Sequence, residues 1–340
     1  MHVDGPDRII FGDRRTENVR WRYVMISQGL ARSAGPPPMP DRPALPARSR
    51  FRMLLAFAVI YIGWGSTFLA VRIAVQTVPP FLVGASRNLV AGVVMVGLGL
   101  LSGAPWPPRG AWRQAAIIGT CLFVANHGAI AWASRRNPSG ITALLVATIP
   151  LWIVVLDWTF RGGRRPSPRA AWGLGLGFLG SVLLFLPSSA HGGVVVDRLA
   201  SAVTAIAAIG WAAGTLTARR AHLSDHAVMA TGLPMLVGGA ALTVIAAAAG
   251  EFAAVRSASL SAASLWAVAY LIVMGSLAGF SAYLYLLKTL PASRVATYAY
   301  VNPIVALAIG AAFGGESVAA LTLVAAAISL AGVYLSVSDR

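Results

Sequence analysis

From Met53 onward the chain is a succession of apolar runs, each about 17–23 residues long and separated by short polar loops. A helix rises about 1.5 Å per residue, so about 20 residues cross the ~30 Å hydrocarbon core of a bilayer. The runs fall at 53–73, 79–101, 112–132, 140–160, 171–187, 198–217, 228–249, 264–286, 291–313 and 317–337. They are read as helices, because an open strand would leave unpaired backbone groups in lipid. A barrel would need alternation, and stretches such as Ala241–Ala249 have none. Composition agrees. Hydrophobic residues make up 57% and charged residues 11%, against about 25% charged in soluble domains. The expected fold class is an all-α integral membrane protein with ten transmembrane helices.

The charge is a topology signal. The formal charge is +16, from 27 basic and 11 acidic residues. Ten of the arginines lie in residues 1–52, and most others sit between apolar runs. With the N-terminus inside, 21 basic residues fall on the cytoplasmic side and 4 on the other. Both termini are therefore expected in the cytoplasm. A basic balance alone suggests nucleic acid, but no basic-aromatic surface accompanies it, so that partner is excluded. Cys121 is the single cysteine, which rules out an intrachain disulfide. Residues 1–52 are rich in arginine, with prolines at 36–38, 40, 43 and 46. They read as a disordered basic cytoplasmic tail. Contact with anionic lipid heads is one use for it. The other reading is an upstream start assignment, since Met39 or Met53 would also precede the whole bundle.

The runs repeat. Gly63-Trp64 is echoed by Gly210-Trp211, and at the same offset of 147 Leu69, Arg72 and Ala74 match Leu216, Arg219 and Ala221. At an offset of 153, Arg135, Pro138 and Pro150 match Lys288, Pro291 and Pro303. The two halves are 53–187 and 198–337, each with five spans. Five is odd, so the second half enters the membrane from the opposite side. Inverted repeats are a mark of secondary transporters, with the solute site near midplane between the halves.

At these residues the sequence resembles the EamA family of the drug/metabolite transporter superfamily. The resemblance is carried by GWGSTFLAVRIA at 63–74 and PPFLVGASRNLVAG at 79–92 in the first half. In the second it is carried by PASRVATYAYVNPIVALAIGAAFGGE at 291–316 and LAGVYL at 330–335. It is most similar to the drug/metabolite exporter branch of bacterial inner membranes. That resemblance implies a ten-helix bundle exporting small metabolites, amino acids or drugs by alternating access, with no cofactor and no enzymatic reaction. One departure is present: Glu316 closes the ninth run, but Gly163 stands at the aligned place in the first half.

Several residues are candidates for solute contact. Arg87 lies eight residues into its run, about 12 Å deep by helical rise. An ionisable group there is expected to serve a site, such as one for a solute carboxylate. The competing reading is a structural arginine bonded to carbonyls. Trp64 and Trp211 fall at mid-span in equivalent places, and either line a cavity or pack the repeat interface. Ser66 and Thr67 flank the first of them. Asn126 and His127 form either a satisfied pair or part of a proton relay. Asp157 is the second proton-coupling candidate, though Arg161 four residues later offers it an ion pair. Pro150 and Pro303 are candidate helix breaks at matching places, which would point to the site. Thr148, Tyr298 and Asn302 lie beside them, and Tyr283 is a weaker candidate. Two motif matches are set aside. Gly175-x-Gly177-x-x-Gly180 has no preceding strand to cradle a nucleotide, and together with Gly173 reads as close helix packing. His222, Asp225 and His226 lack the glutamate of a zinc-protease helix. No metal is expected. The expected partners are a small-molecule solute and the lipid bilayer, and a homodimer is compatible with the sequence. A membrane sensor without transport and an intramembrane lipid-modifying enzyme are the rival classes. The latter lacks a nucleophile-base set.

Overall fold

The structure is a computed structural model. It describes residues 47–337 except 161, 164, 187–194, 258 and 291. The chain divides into a unit of residues 1–50 and a unit of residues 51–340. Of the first, only 47–50 are described, so the tail expectation lies outside the described residues. The described part of the second unit is helical throughout, with no strand among the described residues.

Eight helices are long and apolar enough to cross a membrane. They are α1 (Arg50–Ala74), α2 (Pro80–Leu101), α3 (Arg109–Ala133), α4 (Ser139–Phe160), α6 (Arg198–Ala218), α7 (Ala227–Ala248), α8 (Ala262–Thr289) and α10 (Ala320–Val337). Two further helices, α5 (Pro168–Leu183) and α9 (Tyr298–Phe313), sit on the remaining apolar runs but have 16 residues each. Both shortfalls have local causes. Helix α5 starts at Pro168, where Ser167 accepts the N–H of Ala170 as its N-cap, and stops short at Leu183, where Leu184 and Phe185 N–H donate to Ser181 O and Val182 O in three-residue turns. The run before α9 is divided: a one-turn helix at Ala292–Val295 ends where the Thr297 hydroxyl donates to Arg294 O at 2.6 Å. Such a local side-chain bond competes with helix continuation.

Two seams organise the bundle. Along α2 and α7, Gly84 faces Leu242, Gly92 faces Leu236 and Gly99 faces Met229, so the helices run antiparallel. Along α5 and α10, Gly173 faces Ser336, Gly177 faces Gly332 and Gly180 faces Ser329, again antiparallel. A Cβ on Gly180 would lie 2.6 Å from the Ser329 backbone nitrogen. Small residues are what let backbones approach this closely. The glycine spacing at 173–180 thus serves close packing. Elsewhere α3 packs on α6 and α1 on α8, while α4 packs on α6 and α1 on α9.

Three helices widen into π-turns: α1 at Val59–Gly63, α3 at Thr120–Gly128 and α8 at Leu271–Ala278. Such turns leave backbone carbonyls out of the regular ladder and are frequent at functional sites. The expected paired breaks at the prolines differ from what is found. In α4 the break falls at Ala147–Thr148, and Pro150 is the second residue of the resumed helix, a tolerated place. Pro303 lies inside the continuous helix α9. The break there is six residues earlier, at Thr297, so the two interruptions do not match.

Four helices close on a glycine with positive φ: Gly103 (85°), Gly162 (68°), Gly250 (71°) and Gly315 (62°). Side chains with a Cβ are strained there, so glycine is required. Gly103 and Gly250 are separated by 147 residues, and Gly162 and Gly315 by 153. These are the two offsets found in the sequence.

Candidate functional site

The polar residues of the membrane core gather around α2. Arg87 is 7% exposed, and its Nε donates to the Ser276 hydroxyl in the π-turn of α8 at 2.9 Å. A guanidinium carries five N–H donors. This is the one hydrogen bond of Arg87 within the described chain, and no carboxylate pairs with it among the described residues. Beside it, Trp64 Nε1 donates to Gly275 O at 2.9 Å. A Cβ on Gly275 would lie 3.0 Å from both Arg87 Nη2 and Thr67 Cγ2. That glycine therefore lets α1, α2 and α8 converge. Thr67 is buried, its hydroxyl bonded to Trp64 O at 2.5 Å.

Asn88, the next residue of α2, faces the other way. Its Nδ2 donates to Gly84 O at 2.7 Å, so Oδ1 is left as the acceptor toward His127 Nδ1 at 3.0 Å. His127 therefore donates from Nδ1 to Asn88 Oδ1. Its ring lies 5.8 Å from that of Trp211, and Phe123 packs on both. Asn126 donates to Ala207 O at 3.1 Å, tying α3 to α6.

The two wings are joined by aromatics. Phe280 contacts Trp64 at 5.4 Å and Phe123 at 6.3 Å. Tyr298 and Tyr283 complete the Trp64 cluster at 5.1 and 5.5 Å. By the offset of 153, Phe280 is the counterpart of His127, so each mid-span tryptophan meets an equivalent ring. The polar pair has no counterpart: at the offset of 147, Arg87 and Asn88 correspond to Pro234 and Met235 of α7. The ionic chemistry of the core therefore belongs to one half.

Other candidates lie outside this cluster. Asn302, oriented with Nδ2 toward the π-turn of α1, donates to Ile60 O, Tyr61 O and Tyr298 O at 3.1–3.2 Å. Thr148 is buried and bonds to Leu145 O at 2.6 Å across the break in α4. Both are engaged with backbone. Asp157 lies toward the end of α4, where its carbonyl accepts the Gly163 N–H at 3.0 Å. Its expected partner Arg161 lies outside the described residues. Ser66 pairs with Tyr270 at 2.6 Å. Both line an apolar groove of about 660 Å³ between α1 and α8, with Trp266 and Ile309. His222 and Asp225 sit 3.6 Å apart on an exposed loop.

One end of the bundle is held by polar ties. Glu251, after Gly250, accepts the N–H groups of Phe81 and Leu82 at the start of α2, at 3.2 and 2.9 Å. Glu316, after Gly315, accepts from Ser139 N and Oγ at 2.9 Å and from Gly140 N at 3.4 Å. It also sits 3.0 Å from Arg72. A carboxylate at a helix N-terminus satisfies orphan N–H groups and meets the positive end of the dipole. Asn137 and Asp197 add a reciprocal pair between α3 and α6, and Ser261 N–H donates to Thr77 between α8 and α1. At the other end the positions equivalent to Glu251 and Glu316 are Ala104 and Gly163. Sequence reasoning missed Asn88, Ser276 and Glu251. The available signal for Glu251 was the Gly-Glu pair shared by 250–251 and 315–316. Replacing Glu316 with Gln keeps its shape and removes its charge. The expected loss is about 2 kcal/mol of stability in thermal unfolding, and about 1 kcal/mol for Glu251→Gln with its two contacts. Unchanged melting in both would show that the ties do not hold this end.

Comparison with known proteins gives consistent matches. The model of the EamA-like transporter family matches residues 51–186 and again 199–338. The uncharacterized inner membrane transporter YedA of Escherichia coli (strain K12) is 32% identical over 292 residues, 84% of this chain and 92% of that protein. The WAT1-related protein At3g02690, chloroplastic, of Arabidopsis thaliana is 27% identical, covering 81% of this chain and 67% of its own length. The uncharacterized transporter YvbV of Bacillus subtilis (strain 168) is 24% identical over 78% of this chain and 84% of its own. A solved crystal structure superposes with a TM-score of 0.57 at 19% identity, covering 84% of this chain and 97% of the other. That likeness concerns the fold alone.

Proposed function

The chain belongs to the EamA-like transporter family, and from that premise we propose that it exports small carboxylate-bearing organic solutes by alternating access around Arg87. It is a multi-pass inner membrane transporter. The observation that carries the solute class is the guanidinium of Arg87, buried with one hydrogen bond and no counter-ion among the described residues. Burying such a charge costs several kcal/mol unless it is paired. A solute carboxylate supplies the planar two-oxygen partner that the guanidinium fork matches. Trp64, Phe280 and Phe123 offer the apolar faces for the rest of the solute.

In this reading ten helices form two inverted five-helix repeats. The support is the double family match, the glycine turns at offsets of 147 and 153, and the pairing of helices. An inverted repeat sets α2 against α7 and α5 against α10, each antiparallel, as observed. It also sets α1 on α8 as α6 on α3, which matches the packing. The positive-inside count makes the tied end the outer one. The state described is then closed outside, and export requires Glu251 and Glu316 to release their helix ends. The proton-coupling role is placed on His127, which lies in the core cluster.

Proteoliposomes test the reading. Counterflow of aromatic and aliphatic carboxylates is expected to saturate and to be competed by other carboxylates but not by the matching amides or amines. Equal competition by amides, or a screen in which only cations move, would overturn it. The same vesicles under an imposed proton gradient report the coupling.

A further inference from the structure

A second cluster of positive charge lies at the tied end, apart from the Arg87 cluster. The last turns of α1 and α3 enclose a cleft of about 360 Å³, lined by Arg72, Val75, Gln76, Ser134 and Arg135. Ser134 is 2% exposed, and its Oγ has no hydrogen-bond partner among the described residues. The Nη1 of Arg72, though 3.0 Å from Glu316, is buried outside hydrogen-bonding geometry. Arg135 uses its Nε on Val75 O at 3.2 Å and presents its terminal N–H groups from an exposed position.

Glu316 offsets the charge of Arg72 at 3.0 Å, but no carboxylate pairs with Arg135 among the described residues. Glu316 is held by three donors of the α4 N-terminus. Asp197 is engaged by Arg136 at 3.6 Å and by the Ala200 N–H at 2.9 Å. Two guanidinium groups, a hydroxyl and an amide thus converge with one shared counter-charge. An unpartnered buried hydroxyl carries a desolvation penalty that a ligand acceptor removes. The lining groups supply mainly donors and positive charge, which selects against cations.

We infer that this cleft is a binding site for a small oxyanion, a carboxylate or a phosphate, held between Arg72 and Arg135 with Ser134 donating its hydroxyl. Both walls continue into the core cluster. Arg72 is five residues beyond Thr67, and Ser134 seven beyond His127. By helical rise the cleft lies about 8–10 Å along the bundle from the Arg87 level. It is a vestibular site and does not require the Arg87 reading, because the two can be measured separately. The oxyanion comes either from a soluble solute or from a lipid headgroup.

Calorimetric titration of the full chain in phosphate-free maltoside detergent distinguishes these sources. The probes are benzoate, inorganic phosphate and dihexanoyl phosphatidylglycerol, each run on the parent, Arg87→Gln, Ser134→Ala and Arg135→Gln. At least one probe is expected to bind Arg87→Gln as it binds the parent at this site. Its affinity is expected to fall about tenfold in Arg135→Gln and about fivefold in Ser134→Ala. Binding of benzoate or phosphate identifies a soluble ligand, and binding of the lipid alone identifies a headgroup; both support the site. Arg135 is exposed, so its replacement is compatible with folding. If Arg87→Gln binds none of the probes, or if Arg135→Gln and Ser134→Ala bind as tightly as the parent, the inference falls.

Discussion

Arg87→Gln is expected to lower carboxylate flux at least a hundredfold, or about 3 kcal/mol, while leaving the protein folded. The variant is shorter, but its Nε2 stands where Arg87 has Nε, so the contact to Ser276 survives while the charge and the fork are lost. Arg87→Lys separates these two contributions. It restores the charge without the planar pair of donors, and about a tenfold defect is expected. Flux is read in proteoliposomes and folding by a monodisperse elution profile. Removing the buried charge also relieves a desolvation cost, so the Gln variant is expected to melt no lower than the parent. A variant that melts lower and transports normally would make Arg87 a structural residue.

Gly332→Ala is the other substitution with a large expected effect. An added Cβ there meets the backbone of Gly177 and of Gly173. Backbone cannot rotate away, so α5 and α10 must separate, at about 3 kcal/mol. The expected result is a marked loss of folded protein on size exclusion and a lower melting temperature. Gly175→Ala on α5, the facing helix of the seam, is the control, because nothing lies within 4 Å of its added Cβ. Alanine favours a helix over glycine by about 1 kcal/mol, so this variant should be unchanged or slightly stabilised. Equal behaviour of the two would remove close backbone contact as the reason for the glycines.

The sequence was readable where one physical requirement dominates. Crossing lipid demands long apolar helices, so every expected run carries a helix. The tryptophans at 64 and 211 stood out because a repeat of fixed offset singled them out, and they do meet equivalent rings. Readability failed where side chains compete with backbone. Thr148 and Thr297 bond to carbonyls three residues back and place the breaks, which a proline-based reading put at 150 and 303. The π-turns leave no compositional trace, so Ser276 looked like any small residue in a span. Asn88 was overshadowed by Arg87, although the pair feeds both wings of the core. Asn302 was singled out as a solute contact; its amide faces the carbonyls of Ile60 and Tyr61 in a widened turn that left no trace in the sequence, and that of Tyr298.

The glycine seams have a mechanical consequence. Where side chains interdigitate, two helices move past each other only by jumping from one set of holes to the next, as teeth on a ratchet. At Gly92 and Gly239 on α2–α7, and at Gly173, Gly180 and Gly332 on α5–α10, the neighbour met is backbone, so those points carry no teeth. In the proposed two-repeat reading, the halves meet on smooth bearings at these points. In the proposed alternating-access cycle, rocking about them changes few rotamers, and release of the carboxylate ties at one end is the step expected to limit turnover.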